Sequence, residues 1–227
     1  MAALSAGGRF IVVTGGDALG AVAPGHFRGD VVVVAADSGI DQALSVGLRV
    51  DVAVGDFDSV SPAALQAVTA AGAIVESHPS AKDETDLELA LDAAMARGAR
   101  HISVLGGHGG RLDHFLGNAL LLASPKYESA DLVAEMGAAR ITVVRREAVL
   151  SGAPCDLVTL LAGHGRVTGV TTDGLLYPLD DEDLLPGSTR GLSNEFVSTE
   201  AIVRVRGGVL LAVQPGCAGT HQKGIRS

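Results

Sequence analysis

Tryptophan is absent from this sequence, and aromatic residues make up only 3% of it. Core volume must therefore come from Val, Leu, Ile and Ala. Cysteine is almost as scarce: Cys155 and Cys217 match no metal-ligand spacing, and two cysteines in 227 residues do not make a disulfide framework. The seven histidines form no H-x-x-x-H or similar pair, so zinc is not indicated. No Lys/Arg-rich block offsets the formal net charge of -9, which argues against a nucleic-acid backbone or an anionic membrane as partner. No apolar run approaches the roughly 20 residues that a membrane-spanning helix needs. The N-terminus reads as lacking a charged leader followed by a cleavable apolar region. These absences together lead us to expect a protein of the reducing cytoplasm.

What is present describes a globular enzyme-sized chain. Hydrophobic residues reach 47% and charged residues 19% of the 227 positions, enough to bury a core in one large domain or two small ones. Thirty glycines promise many tight turns and close backbone approaches.

Up to about Arg140 the sequence alternates short β-branched runs with helix-length segments. The apolar runs are Phe10–Val13, Val31–Ala35, Val52–Val54, Ala73–Val75, His101–Leu105 and Asp131–Ala134. Helical patterns fall at 39–46, 62–71, 84–97 and 111–123. Continuous apolar strands separated by helices predict an α/β fold, a three-layer α/β/α domain with a mostly parallel sheet. Beyond Arg140 the pattern changes to strands at Ile141–Val144, Leu157–Leu161, Arg166–Thr171, Phe196–Val205 and Val209–Val213, punctuated by Gly, Pro, Asn and Asp. This predicts a C-terminal all-β domain of sandwich or barrel type. The expected division is 1–137 and 138–227.

In an open parallel sheet, ligands gather at the carboxyl ends of the strands. Here those ends carry chemistry: one run stops at Asp37, another at Gly55-Asp56-Phe57-Asp58-Ser59, and a third runs into Gly106-Gly107-His108-Gly109-Gly110-Arg111. Two carboxylates as close as Asp56 and Asp58 repel unless a cation neutralises them, and hard oxygen ligands suit Mg²⁺. The same turn would also serve simply to cap the helix near Pro62, through Asp58 or Ser59. In Lys82-Asp83-Glu84-Thr85-Asp86, both Asp83 and Asp86 fit a helix-capping arrangement. Asp86, however, lies four residues before Ala90, on the inner edge of a helix whose apolar stripe is Leu87, Ala90, Leu91, Ala94 and Met95. A carboxylate aimed inward there suits a metal or phosphate site.

The glycine-rich loop matches neither a Walker A motif nor G-x-G-x-x-G. It offers backbone N–H groups and a helix N-terminus to an anion. On the helix that follows, Arg111, His114 and Asn118 share one face, opposite a stripe of Leu112, Phe115, Leu116 and Ala119, and Arg111 has the fork geometry to clamp phosphates. Gly15-Gly16-Asp17 lacks the remaining spacing of a dinucleotide fingerprint, which disfavours an oxidoreductase.

Taken together and in order, Ala36-Asp37-Ser38-Gly39, Gly55-Asp56-Phe57-Asp58-Ser59, Lys82-Asp83-Glu84-Thr85-Asp86 and Gly109-Gly110-Arg111-Leu112-Asp113-His114 resemble the motifs of thiamine pyrophosphokinases. Asp173-Gly174-Leu175-Leu176-Tyr177-Pro178-Leu179 and Gly191-Leu192-Ser193-Asn194-Glu195-Phe196 look like that family's thiamine-site segments. The resemblance runs from about Phe10 to Pro215. It implies an α/β catalytic domain followed by a β-sandwich, and transfer of a pyrophosphoryl group from ATP to the thiamine hydroxyl, with AMP released. By the same resemblance Asp56, Asp58 and Asp86 hold Mg²⁺. Asp37, Lys82, Thr85, Gly107, Gly110, Arg111, Asp113 and His114 sit around the nucleotide, with Arg111 also catalytic. Leu176, Tyr177, Ser193 and Asn194 receive thiamine, offered by the partner in a homodimer whose sites lie between subunits.

Three positions depart from the commonest pattern: Ser38 replaces a Gly, Tyr177 replaces the Trp of animal relatives, and His114 replaces their Gln. A phenol can still stack on either thiamine ring. A non-catalytic nucleotide or thiamine sensor on the same fold is the competing reading, but it would be expected to have lost an acidic ligand or the Arg.

Overall fold

The computed structural model describes residues 8–19, 30–81 and 83–216 and divides into two compact units, Met1–Gly137 and Ala138–Ser227. Lys82, named above beside the nucleotide, lies outside the described residues, as does Cys217.

The first unit is built on β1 (Arg9–Val13), β2 (Val32–Ala36), β3 (Val52–Gly55), β4 (Ile74–Ser77), β5 (His101–Leu105) and β6 (Asp131–Met136). Every pairing among them is parallel, in the order β6-β5-β1-β2-β3-β4. Successive strands step outward from β1 to β4, then the chain returns to place β5 on the other side of β1. That reversal is the topological switch point where doubly wound sheets bind ligands.

The helices are α1 (Gly39–Ser45), α2 (Pro62–Ala70), α3 (Asp86–Ala96) and α4 (Leu112–Leu122). Because side chains alternate along a strand, Ile11, Val13, Val33, Ala35 and Ala53 share one sheet face. They form a common core with Ile40 and Ala43 of α1 and Ala64 and Val68 of α2. α3 packs on β1, β2 and β3 through buried Leu87, Ala90, Leu91 and Ala94. The three-layer α/β/α expectation holds. Gly39 explains how α1 comes so near the sheet: a Cβ there would lie 2.4 Å from the Val13 carbonyl oxygen, so only glycine fits.

The caps differ from the sequence reading. Ser61, not Asp58 or Ser59, caps α2, its hydroxyl accepting from Ala64 N–H at 3.2 Å. Thr85, not Asp83 or Asp86, caps α3, accepting from Glu88 N–H at 3.2 Å. In both helices the hydroxyl stands on the residue immediately before the first turn, the position from which a short side chain reaches the third amide.

The second unit holds two antiparallel sheets. One runs β12 (Asn194–Glu195), β9 (Leu157–Ala162), β14 (Leu210–Gln214), β7 (Ala139–Val144); the other runs β11 (Glu182–Leu184), β10 (Val167–Asp173), β13 (Glu200–Arg204), β8 (Glu147–Ser151). Val144, Val158, Leu160 and Leu210 of the first sheet share a core with Leu150, Val167, Val170 and Val203 of the second, as a sandwich requires. The expected strand over Phe196–Val205 is broken: β12 ends at Glu195 and β13 begins at Glu200, and Phe196, held between them by an isolated bridge to Leu175, puts its ring in the core. β8 and β11, with their charged ends, escaped the hydrophobic pattern.

Candidate functional site

A cavity of about 660 Å³ opens at the carboxyl edge of the first unit's sheet. Its walls come from the segments following β1, β2, β3, β4 and β5 and from the starts of α3 and α4.

The acidic floor begins with Asp37. Its backbone adopts a left-handed φ of 50°, its N–H donates to Val54 O at 3.0 Å, and its side chain is 5% exposed. One carboxylate oxygen, Oδ1, is buried without a hydrogen-bond partner. Because Ala36 pairs with Val54 across the sheet, the chain beyond β2 emerges beside the chain beyond β3. Oxygens of Asp37, Asp56 and Asp58 consequently fall within 4.8 Å of one another. Phe57, between the latter two, sits at φ 63° with its ring against the core of α1 and α2. Asp58 N–H donates to Asp56 Oδ1 at 3.3 Å, and Ser59 Oγ donates to Asp58 Oδ1 at 2.7 Å, which closes the turn on itself.

Burial pushes the Asp37 carboxyl above its ordinary range, and the nearby charges of Asp86, Asp56 and Asp58 push in the same direction. A buried carboxylate with an orphaned oxygen among three others costs free energy unless a cation joins it. The sequence reading put Asp37 beside the nucleotide and made Asp86 the third ligand. The structure brings Asp37 into the tight triad and sets Asp86 on the adjoining wall, near enough for its charge to act on Asp37. The oxygen-only donor set fits Mg²⁺.

On the opposite wall two loops are stitched together beyond the strand ends. Thr14 N–H donates to Leu105 O at 3.0 Å, Gly107 N–H to Gly15 O at 2.8 Å and Asp17 N–H to His108 O at 2.6 Å. The Gly107 amide is thus spent on Gly15, which leaves the N–H groups further along the loop for an anion. Asn118 Nδ2 holds the Gly107 carbonyl at 3.1 Å. Thr85, Gly107, Gly110, Arg111, His114 and Asn118 all line the cavity.

Asp113 does not; it is gripped by Arg111, with Nε at 3.2 Å and an Nη at 2.5 Å, and that guanidinium holds its carboxyl down at about 2. The pair keeps a forked cation at the mouth of the acidic cavity. Thr14, Asp17 and Ser80 also line the cavity and were missed by motif; their signal is position alone, just past a strand's carboxyl end. The stripe expected on α4 is only partly covered: Phe115 and Ala119 are half-buried, whereas Leu112 is 69% and Leu116 51% exposed, as is Leu120 one turn on at 59%.

In the second unit the residues matched to thiamine fall into two kinds. Leu176, Tyr177 and Ser193 are exposed, Ser193 at φ 53° with its N–H on Thr159 Oγ1 at 3.1 Å. Asn194 is buried, and its amide is occupied by protein backbone, accepting from Tyr177 N–H at 3.0 Å and donating to Tyr177 O at 2.7 Å. It supports the Tyr177 segment and does not face solvent. The bridge between Leu175 and Phe196 continues the same pairing.

Among the described residues no helix is long and apolar enough to cross a membrane. Comparison with known proteins agrees in both units. Residues 27–134 match the family described as thiamin pyrophosphokinase, catalytic domain, and residues 141–210 match thiamin pyrophosphokinase, vitamin B1 binding domain. The thiamine pyrophosphokinase of Bacillus subtilis is 26% identical over 183 residues, 80% of this chain and 86% of that protein. The crystal structure of thiamine pyrophosphokinase from Bacillus subtilis superposes with a TM-score of 0.79 at 26% identity, covering 92% of this chain and 99% of that one. The structure from Geobacillus thermodenitrificans gives 0.75 at 29% identity, covering 92% and 98%. Matched in order by both domain families, the chain belongs to the thiamine pyrophosphokinase family.

Proposed function

We propose that this protein is a cytoplasmic, ATP-dependent enzyme that makes thiamine diphosphate. A bond forms between the thiamine hydroxyl oxygen and the β-phosphorus of ATP, the bond from that phosphorus to the oxygen bridging to the α-phosphate breaks, AMP leaves, and the hydroxyl proton is released to solvent. The observation that carries this reading is the buried Asp37 carboxylate, with its unpartnered oxygen among Asp56 and Asp58 at the floor of a cavity on the sheet's switch point.

Asp37, Asp56 and Asp58 would hold Mg²⁺, with Asp86 beside them, and the ion would supply the positive charge that lets a polyphosphate approach so acidic a surface. Arg111 neutralises charge developing on the transferred group, its Asp113 partner keeping the fork oriented until phosphate competes for it. Thr85, which caps α3, and His114, on α4, contact the nucleotide, and the family resemblance adds Lys82. Transfer of this kind is mostly positioning and electrostatics, so a strong base is not required.

Tyr177 stacks on thiamine, with Leu176 and Ser193 beside it and Asn194 fixing their backbone. The exposed α4 stripe and the exposed Tyr177 segment support a homodimer in which the thiamine-binding domain of one copy serves the catalytic domain of the other. The test is a coupled assay for AMP release with mass detection of thiamine diphosphate. Thiamine- and Mg²⁺-dependent formation of both is expected. ATP binding without product would favour a sensor and sink the enzymatic reading.

A further inference from the structure

The loop that follows β1 forms one wall of the cavity through Gly15, Gly16 and Asp17. Its shape is not dictated by the loop alone. Gly16 adopts φ 137°, and a Cβ there would lie 2.2 Å from the His108 carbonyl oxygen. The peptide between Gly16 and Asp17 is held at both ends: its N–H donates to His108 O at 2.6 Å, and its C=O accepts from Gln42 Nε2 at 2.7 Å. The other end of the same side chain, Gln42 Oε1, accepts from Leu19 N–H at 3.0 Å. Gln42 sits half-buried on α1 and does not itself line the cavity. It is therefore a two-ended clamp reaching 26 residues back to the glycine wall.

A backbone carbonyl carries partial negative charge, and one left bare beside a polyphosphate repels it. A primary amide is the side chain that can quiet such a carbonyl with an N–H while taking up a nearby N–H with its oxygen. Resting on the nucleotide reading above, we infer that Gln42 is a positioning residue for the ATP side of the cavity: it masks the Gly16 carbonyl and fixes the Gly16–Asp17 peptide, so that the wall accepts phosphate.

The test uses Gln42→Met, which keeps size and loses both contacts, and Gln42→Glu, which keeps the acceptor for Leu19 N–H but sets a carboxylate against the Gly16 carbonyl. Steady-state kinetics with ATP and thiamine, and calorimetric ATP binding, are measured for both beside wild type. Of the two hydrogen bonds that Gln42→Met removes, loss of the one to the Gly16 carbonyl predicts a rise in the ATP KM of about three- to tenfold, and Gln42→Glu a larger rise. The thiamine KM and the kcat at saturating ATP stay unchanged. A merely structural role would move both KM values together or lower kcat, and either result overturns the inference. So does a Gln42→Glu enzyme with a wild-type ATP KM, since that would make the Leu19 contact the one that matters. If wild type turns over and both variants match it, this inference alone falls; if wild type releases no AMP, the functional reading falls and takes it along.

Discussion

The side chain of Asn194 is hydrogen-bonded to both backbone groups of Tyr177, accepting from its N–H at 3.0 Å and donating to its C=O at 2.7 Å. A buried amide thus serves as a short piece of β-ladder, and Tyr177 projects from it 55% exposed. Asn194→Ala leaves three backbone groups, both of Tyr177 and the Glu195 N–H, to find new partners, a loss of about 1–3 kcal/mol where they stay buried. We expect a lower melting temperature and a raised thiamine KM with an unchanged ATP KM. Tyr177→Ala should raise the thiamine KM without the stability loss. Steady-state kinetics with thermal melts read both, and a stability loss in Tyr177→Ala matching that of Asn194→Ala would contradict this division.

Asp58 lies at the exposed rim of the acidic triad, where its carboxylate supports nothing in the core. Asp58→Asn should leave the circular dichroism spectrum and melting point near wild type. Its kcat should fall by a factor on the order of 10³ or more, the scale on which preorganised charge acts in such sites. Near-normal thiamine diphosphate formation would remove the triad from the reaction.

For Asp37 the consequence is opposite in sign for stability. Its carboxyl is raised in the folded protein, first by burial and then by Asp86 and Asp56. A group raised on folding contributes stability that is full below its unfolded value and is lost as pH climbs through the folded one. At neutral pH, with EDTA present, the ionised side chain therefore weighs against the fold. Asp37→Asn, which tolerates the left-handed φ of 50°, should melt higher than wild type in EDTA. It should also lose activity and the stabilisation that Mg²⁺ gives wild type. A variant that melts lower in EDTA, or gains as much from Mg²⁺, would disprove the assignment.

Leu112, Leu116 and Leu120 stand four residues apart along α4, all exposed. Leu116→Glu places a charge in the middle of that stripe. Analytical ultracentrifugation should show the wild type as a dimer and the variant shifted to monomer, with turnover falling in proportion. A variant that remains dimeric would move the interface elsewhere.

Much of the fold was legible because two periods alternate cleanly in the sequence. The runs ending at Ala36, Val54 and Leu105 are continuous and β-branched, so a parallel sheet with loaded carboxyl ends could be read directly. The triad was half legible. Asp56 and Asp58 declare themselves by spacing, whereas Asp37 joins them only through the register of β2 on β3, and strand register is a tertiary fact. Periodicity found the stripe on α4 but cannot say what covers it. Asn194 was matched to the substrate through the family resemblance of Gly191-Leu192-Ser193-Asn194-Glu195-Phe196, which does not say where its side chain points. Only the positions of the Tyr177 backbone groups show that its amide is already taken.

Phe57 has a further consequence. A bulky residue in the left-handed region is strained by roughly 1–3 kcal/mol, and here the ring is anchored in the core of α1 and α2 while its backbone turns between two carboxylates. The core thus enforces the turn, and the aspartates reach their mutual spacing when the chain folds, before any ion arrives. Under the metal reading proposed above, a cation would have little loop entropy left to remove, and the spacing it met would be set by the apolar packing beneath the turn.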